Sequence, residues 1–166
     1  MATAGSGQST AQKLFRQDTP ANEDKQKLTE IKGDLFSCDP TSSLAHCVSA
    51  DLHMGKGIAV LFKKKFGCVA ELKSQGVQPG GVAVLKRSGQ FIYYLVTKAR
   101  YFHKPTMETL QKSLEALCSH AVSNGVKKLA IPRLGCGLDK LNWSAVSKLI
   151  GDIFSESGIE ITVYYL

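Results

Sequence analysis

Apolar and polar positions alternate in short runs through most of the chain, and each run ends on a recognisable breaker. Leu28 to Lys32 predicts a first short strand closed by the Gly33-Asp34 turn. Ser43 to Ser49 predicts a second, after the cluster Cys38, Asp39 and Pro40. The period then lengthens. Ile58, Leu61, Phe62 and Lys65 recur at helical intervals between Gly57 and Phe66, and Val69 to Lys73 continues helically beyond Gly67. Gly81 to Lys86 and Phe91 to Lys98, rich in Val, Ile and Tyr and separated by Ser88-Gly89, read as a β-hairpin.

Thr106 to Asn124 is the strongest helical pattern. Thr106 is placed as N-cap, Leu110, Leu114, Leu117 and Ala121 share one face, and Asn124-Gly125 ends the run. Lys128 to Pro132 follows as a strand, Asn142 to Ser155 as an amphipathic helix ending near Gly158, and Ile159 to Tyr165 as a final alternating strand. Helices of these lengths between buried strands imply an α/β fold: a central mixed sheet covered on both sides, with ligands outside the carboxyl ends of its strands. Residues 1–26 have no sustained apolar period and are expected to form a flexible leader, leaving 27–166 as one domain.

Composition narrows the partners. Of 166 residues, 43% are apolar and 21% charged, enough for one core of ordinary size. Residues 1–30 hold four positive and four negative side chains, so the whole formal charge of +7 lies in the remainder. A basic domain draws anionic ligands without saying which, and a solvated face accounts for the same charge. The Lys63-Lys64-Lys65 run divides in the same way between an acid-attracting or import surface and a solvated helix face. Five cysteines, odd in number and without a Cys-x-x-Cys pair, suggest neither a disulfide framework nor a structural zinc and fit a reducing compartment. No apolar run reaches the ~18 residues of a membrane span, so no membrane partner is expected.

Candidate chemistry gathers where the predicted strands end: Asp34, Ser49, Lys98, and the turn Arg133-Leu134-Gly135-Cys136-Gly137-Leu138-Asp139. Asp34 and Ser49 alone read equally well as turn or cap residues. The Gly135-Cys136-Gly137 glycines serve a tight turn, or bring bare N–H groups close to a diphosphate. The Met54-Gly55-Lys56-Gly57 segment before the first helix is a second candidate anion loop. Neither a P-loop nor a Gly-x-Gly-x-x-Gly fingerprint is present. Lys98 directly follows the apolar run Tyr93 to Thr97, which leaves a snorkelling side chain at a sheet edge or a partly desolvated amine able to act as a nucleophile. Asp139 is the acid available to move its protons. Cys136 in its glycine turn is a weaker nucleophile candidate, because His46, His53, His103 and His120 form no recognisable partner motif.

Together the segments Lys32 to Phe36, Ser43 to Ser49, Met54 to Gly67 and Pro132 to Asp139, in this order, resemble the macrodomain family. The likeness is closest to those members that hydrolyse terminal ADP-ribose on proteins, and it runs from about Thr29 to Leu166. It implies a three-layer α/β/α macrodomain binding ADP-ribose over the sheet. Asp34 and the Leu35 backbone would meet the adenine, Ser49 would lie near the ligand, Arg133 to Asp139 would wrap diphosphate and distal ribose, and Leu166 would close the adenine side. Lys98 would form a covalent adduct at the distal ribose, and Asp139 would resolve it, with no metal and no cofactor. Hydrolytic relatives that rely on an Asn and a Gly-Gly-Gly-Val-Asp-Gly type loop differ here, where the loop reads Met54-Gly55-Lys56-Gly57-Ile58-Ala59, and this favours the lysine route. Implied substrates are ADP-ribosylated glutamate or aspartate on proteins, and O-acetyl-ADP-ribose. The resemblance also implies a nuclear and cytosolic location in the reversal of ADP-ribosylation, while the basic surface suits contact with poly(ADP-ribose) and a monomer is the default expectation. A non-catalytic reader would keep Asp34 and the glycine loop without needing Lys98 or Asp139; a cysteine hydrolase would depend on Cys136.

Overall fold

The computed structural model describes residues 28–137 and 139–166; the expected leader lies outside them. Six strands form one sheet: β1 (Thr29–Lys32), β2 (Ser43–Ser49), β3 (Gly81–Arg87), β4 (Gln90–Lys98), β5 (Lys128–Pro132) and β6 (Glu160–Tyr165). Their spatial order is β1-β6-β5-β2-β4-β3. All neighbours are parallel except the β3–β4 hairpin, so five strands end on the same edge of the sheet.

Strand alternation sorts side chains into two cores. Tyr93 and Leu95 of β4 face one side with Leu129 and Ile131 of β5, under Leu110, Leu114, Leu117 and Ala121 of α3 (Met107–Ser123), Val146 and Ile150 of α4 (Trp143–Ile153) and its C-cap Phe154. Ile92, Tyr94 and Val96 face the other side with Leu44 and Val48, under Phe62 of α1 (Ile58–Phe66) and Leu72 of α2 (Val69–Ser74). Each fully buried leucine here contributes about 1.5–3 kcal/mol of apolar transfer free energy. Helices on both faces give the expected three layers.

The predicted single helical run from Gly57 to Lys73 is divided. Gly67 and Cys68 both take left-handed φ values near 57°, which no α-helix tolerates in succession, so α1 stops and α2 restarts. A 3-10 turn at Leu35–Ser37 was not legible in the residue spacing. Thr106 caps α3 reciprocally: its Oγ1 accepts from the Thr109 N–H at 3.1 Å, and its N–H donates to Thr109 Oγ1 at 3.2 Å. Thr109 Oγ1 also donates to the Thr97 carbonyl at 2.8 Å, tying the start of α3 to the end of β4.

Two irregularities shape the functional edge. Val48 pairs with Val96 but Ser49 with Lys98, so Thr97 is an extra residue bulged out of the β2–β4 register. On the other side, β2 pairs with β5 only at Ser43–Leu129 and Leu44–Ala130, so their carboxyl ends part. A crevice therefore opens where the chain crosses from β4 over β2 to β5, the switch point at which open α/β sheets take ligands.

His46, wholly buried in β2, stacks on Phe62 with ring centroids 3.7 Å apart and meets Tyr94 edge-on at 4.8 Å. Burial favours the neutral imidazole and pushes its pKa down to about 3. The unfolded chain, with an ordinary value near 6.5, therefore takes up a proton that the fold refuses, and stability falls as pH drops from about 6.5 towards 3. His46→Phe is expected to flatten that slope. Urea midpoints at pH 7 and pH 4.5 read it, and an unchanged slope would show that His46 does not titrate on unfolding.

Candidate active site

A cleft of about 700 Å³ runs over the crevice between β2 and β5. Its floor holds Lys98 and Asp139, the former at the end of β4 and the latter in the loop after β5, with Nζ donating to Oδ1 at 2.8 Å. The bulge at Thr97 sets Lys98 opposite Ser49. The two side chains are only 14% and 18% exposed. Removing two charges from water costs several kcal/mol per ion unless each compensates the other, so this pairing is what allows both to sit there. Lys98 is therefore no snorkelling side chain at a sheet edge, since β4 lies between β2 and β3. Cys47 lies on the cleft floor, its thiol pushed up to about 12 by burial, with Asp139 and Cys136 adding to the shift, so it stays protonated.

The loop after β5 forms one wall. Gly135 has φ +70°, and a Cβ there would come within 2.7 Å of Leu141 Cδ1, so only glycine fits the turn that the Leu141 N–H closes by donating to the Gly135 carbonyl at 2.7 Å. At Gly137, which also lines the cleft, a Cβ would meet nothing within 4 Å. Opposite stand residues 53–59. Gly57 offers no side-chain cap to α1, so the first N–H groups of that nine-residue helix have no side-chain acceptor at the cleft that Ile58 and Ala59 line, a setting suited to an anion.

Asp51, which the sequence reading passed over, holds this edge together. It accepts from Ser49 Oγ, from the His53 N–H at 3.2 Å and from the Tyr101 N–H at 3.0 Å. Burial opposes its ionisation, but the hydrogen bonds from Ser49, Tyr101 and His53 outweigh burial and hold the carboxyl below its ordinary value. It thereby joins the loop after β2 to the loop after β4. The His53 and Tyr101 rings stack across the same junction at 4.1 Å. Nothing in the residue pattern pointed to Asp51, because its partner Tyr101 is 50 residues away.

The remaining expected site residues divide. Ser49, Arg133 and Leu134 line the cleft, although Leu134 is also core. Arg133 is turned outward, its Nη2 on Glu30 Oε1 at 3.0 Å and its guanidinium 4.2 Å from the Tyr165 ring centroid. Asp34, Leu35, Cys136 and Leu166 do not line this cleft. Asp34 caps the 3-10 turn by accepting from the Phe36 N–H at 3.0 Å, Leu35 is buried in the second core, and Leu166 is 96% exposed. The Cys136 thiol points to the Leu134 carbonyl at 3.1 Å and is pushed up by burial, which weighs against a thiolate nucleophile. Leu138 lies outside the described residues. All five cysteines are free, and among the described residues no cluster of three His, Cys, Asp or Glu side chains is placed to hold a metal. Lys63, Lys64 and Lys65 are exposed on α1, as a solvated face requires. Among the described residues no helix is long and apolar enough to cross a membrane.

Asp51→Ala leaves the buried Ser49 hydroxyl without its acceptor and is expected to cost about 1–3 kcal/mol, read by urea unfolding at pH 7. The carboxyl contributes fully above its ordinary value of about 4 and loses that contribution as pH falls through its lower folded-state value. The wild type and Asp51→Ala should therefore converge in stability in strong acid. A constant gap at every pH would contradict this role.

The Macro domain family model matches residues 45–150. A curated relative from Homo sapiens, ADP-ribose glycohydrolase OARD1, is 59% identical over 147 residues, covering 87% of this chain and 97% of that protein. The DNA ADP-ribosyl glycohydrolase of Thermus aquaticus is 28% identical over 144 residues, covering 81% of this chain and 40% of that protein. Among solved structures, the macrodomain of Thermus aquaticus DarG superposes with a TM-score of 0.75 at 27% identity, over 85% of this chain and 99% of that one. With its sheet order, its cleft at the switch point and these likenesses in agreement, the chain belongs to the Macro domain family.

Proposed function

We propose that this protein is an ADP-ribose glycohydrolase that frees ADP-ribose from esterified glutamate and aspartate side chains of proteins and deacetylates O-acetyl-ADP-ribose. The observation that carries the reading is the 2.8 Å Lys98–Asp139 pair on the floor of a cleft walled by a glycine turn and an uncapped helix start. Support comes also from the name of the 59% identical human relative. A reader of ADP-ribose has no use for a lysine and an acid buried together beneath its ligand.

The chemistry follows from the pair. The diphosphate rests against the N–H groups of the 133–139 turn and of the start of α1. Lys98 passes a proton to Asp139, and its nitrogen attacks the anomeric carbon of the distal ribose. The bond from that carbon to the ester oxygen breaks, and its electron pair leaves with the protein carboxylate. The ring oxygen then takes the proton from Asp139, and the adduct nitrogen gives up its second proton to solvent, as the sugar opens to a lysyl Schiff base. Asp139, again a carboxylate, removes a proton from the water that adds to this carbon and returns it to the departing amine. A carboxylate is a stable leaving group, so an ester yields to this modest activation, whereas an N-glycosidic arginine link would not.

Lys98→Ala is expected to bind ADP-ribose, measured by calorimetry, yet to release none from glutamate-modified peptide. Asp139→Asn should slow release by about 10²–10⁴-fold. Full activity in Lys98→Ala would overturn the lysine route, and a wild type that binds ADP-ribose but releases none from any ester would identify a reader.

A further inference from the structure

The rim of the cleft carries a feature that the reaction at Lys98 does not use. Tyr101 is 51% and Phe102 68% exposed, neighbours in sequence with ring centroids 5.4 Å apart and nearly perpendicular. With His53 they make one contiguous apolar patch at the cleft, the kind of surface that marks a contact site. They are not loose. The Tyr101 main chain is held by Asp51, and its ring lies flat on His53, with an interplanar angle of 21°. Three lysines, Lys56, Lys104 and Lys140, line the same cleft, and among the described residues none of them has an ion-pair partner. The carboxylates nearby are committed, Asp51 to its three donors and Asp139 to Lys98.

Sheet order says what meets this rim. The glycine turn stands at the end of β5, and the aromatic rim at the ends of β2 and β4, on the other side of the crevice. A ligand with its diphosphate at the glycine turn and its anomeric carbon at Lys98 continues, beyond the bond to be broken, towards His53, Tyr101 and Phe102. We propose that these three rings form an acceptor subsite for the peptide segment that carries the esterified carboxylate, and that the unpaired lysines make it select segments in which further acidic residues flank that carboxylate. The rings pack against the peptide's main chain and apolar side chains, and the lysines meet the flanking acids. Preset rings lose little freedom on binding, so the subsite adds affinity at small entropic cost. This assignment rests on the hydrolase reading given above.

The test compares two substrates: ADP-ribose esterified to a single blocked glutamate, and the same ester within a peptide flanked by Asp and Glu. Tyr101→Ala and Phe102→Ala are expected to raise KM for the peptide about three- to tenfold, with kcat unchanged and turnover of the single-residue ester as in the wild type, which also verifies folding. Lys104→Glu should weaken the acid-flanked peptide and improve one flanked by arginine. Equal effects on both substrates, or none on either, overturn the subsite. So does a loss confined to a single-stranded oligonucleotide carrying ADP-ribose, which would assign the rings to stacking bases. Failure of the wild type to cleave even the single-residue ester would instead defeat the hydrolase reading itself.

Discussion

Burying a lysine and an aspartate, each more than four-fifths withdrawn from water, is costly unless they face each other, and the architecture around Lys98 and Asp139 serves that one contact. The partners come from β4 and from the loop after β5, strands separated by β2. Their side chains meet because β2 and β5 part above Leu44 and because the bulge at Thr97 moves Lys98 one residue along the sheet edge. Thr109 braces the bulge from α3, and Gly135 lets the opposing turn close tightly enough to bring Asp139 back over the crevice. Removing either partner would leave the other charge in a poorly solvated place. The pair is thus a stability constraint and, in the proposed function, the reactive centre through the same geometry.

Asp51 plays a quieter part. Its carboxylate joins the loops that follow β2 and β4, tying the loop before α1 to the aromatic rim beyond Lys98. Two non-glycine residues at positive φ just after Asp51, Leu52 and Met54, are buried, and packing over-determines a backbone they would not otherwise adopt.

Local patterns in the sequence were enough to order the strands and helices, because alternation and helical spacing are properties of neighbours along the chain. The Thr106 cap and the apolar face of α3 fall into this class. Lys98 and Asp139 could be singled out for a similar reason, each being a charge that closely follows a strongly apolar strand. What depended on distant partners was hidden. Asp51 looked like any loop acid, since Tyr101 and its neighbours come from another strand end. The Thr97 bulge exists only in the register of two strands, and the break at Gly67 required a second left-handed residue, Cys68, that no propensity signals. Leu35 and Leu166 were drawn from resemblance alone and Asp34 also from its place after β1, and none of the three lines the main cleft.

The covalent step itself is open to direct observation. Asp139→Ala protein, in which solvent must take the lysine proton but resolution of the adduct is slowed further, incubated with glutamate-linked ADP-ribosylated peptide, reduced with borohydride and digested, should carry one ADP-ribose-derived mass on the peptide containing Lys98 and on no other lysine. Unmodified Lys98 together with undiminished turnover in that variant would mean that the buried pair is not the reactive centre.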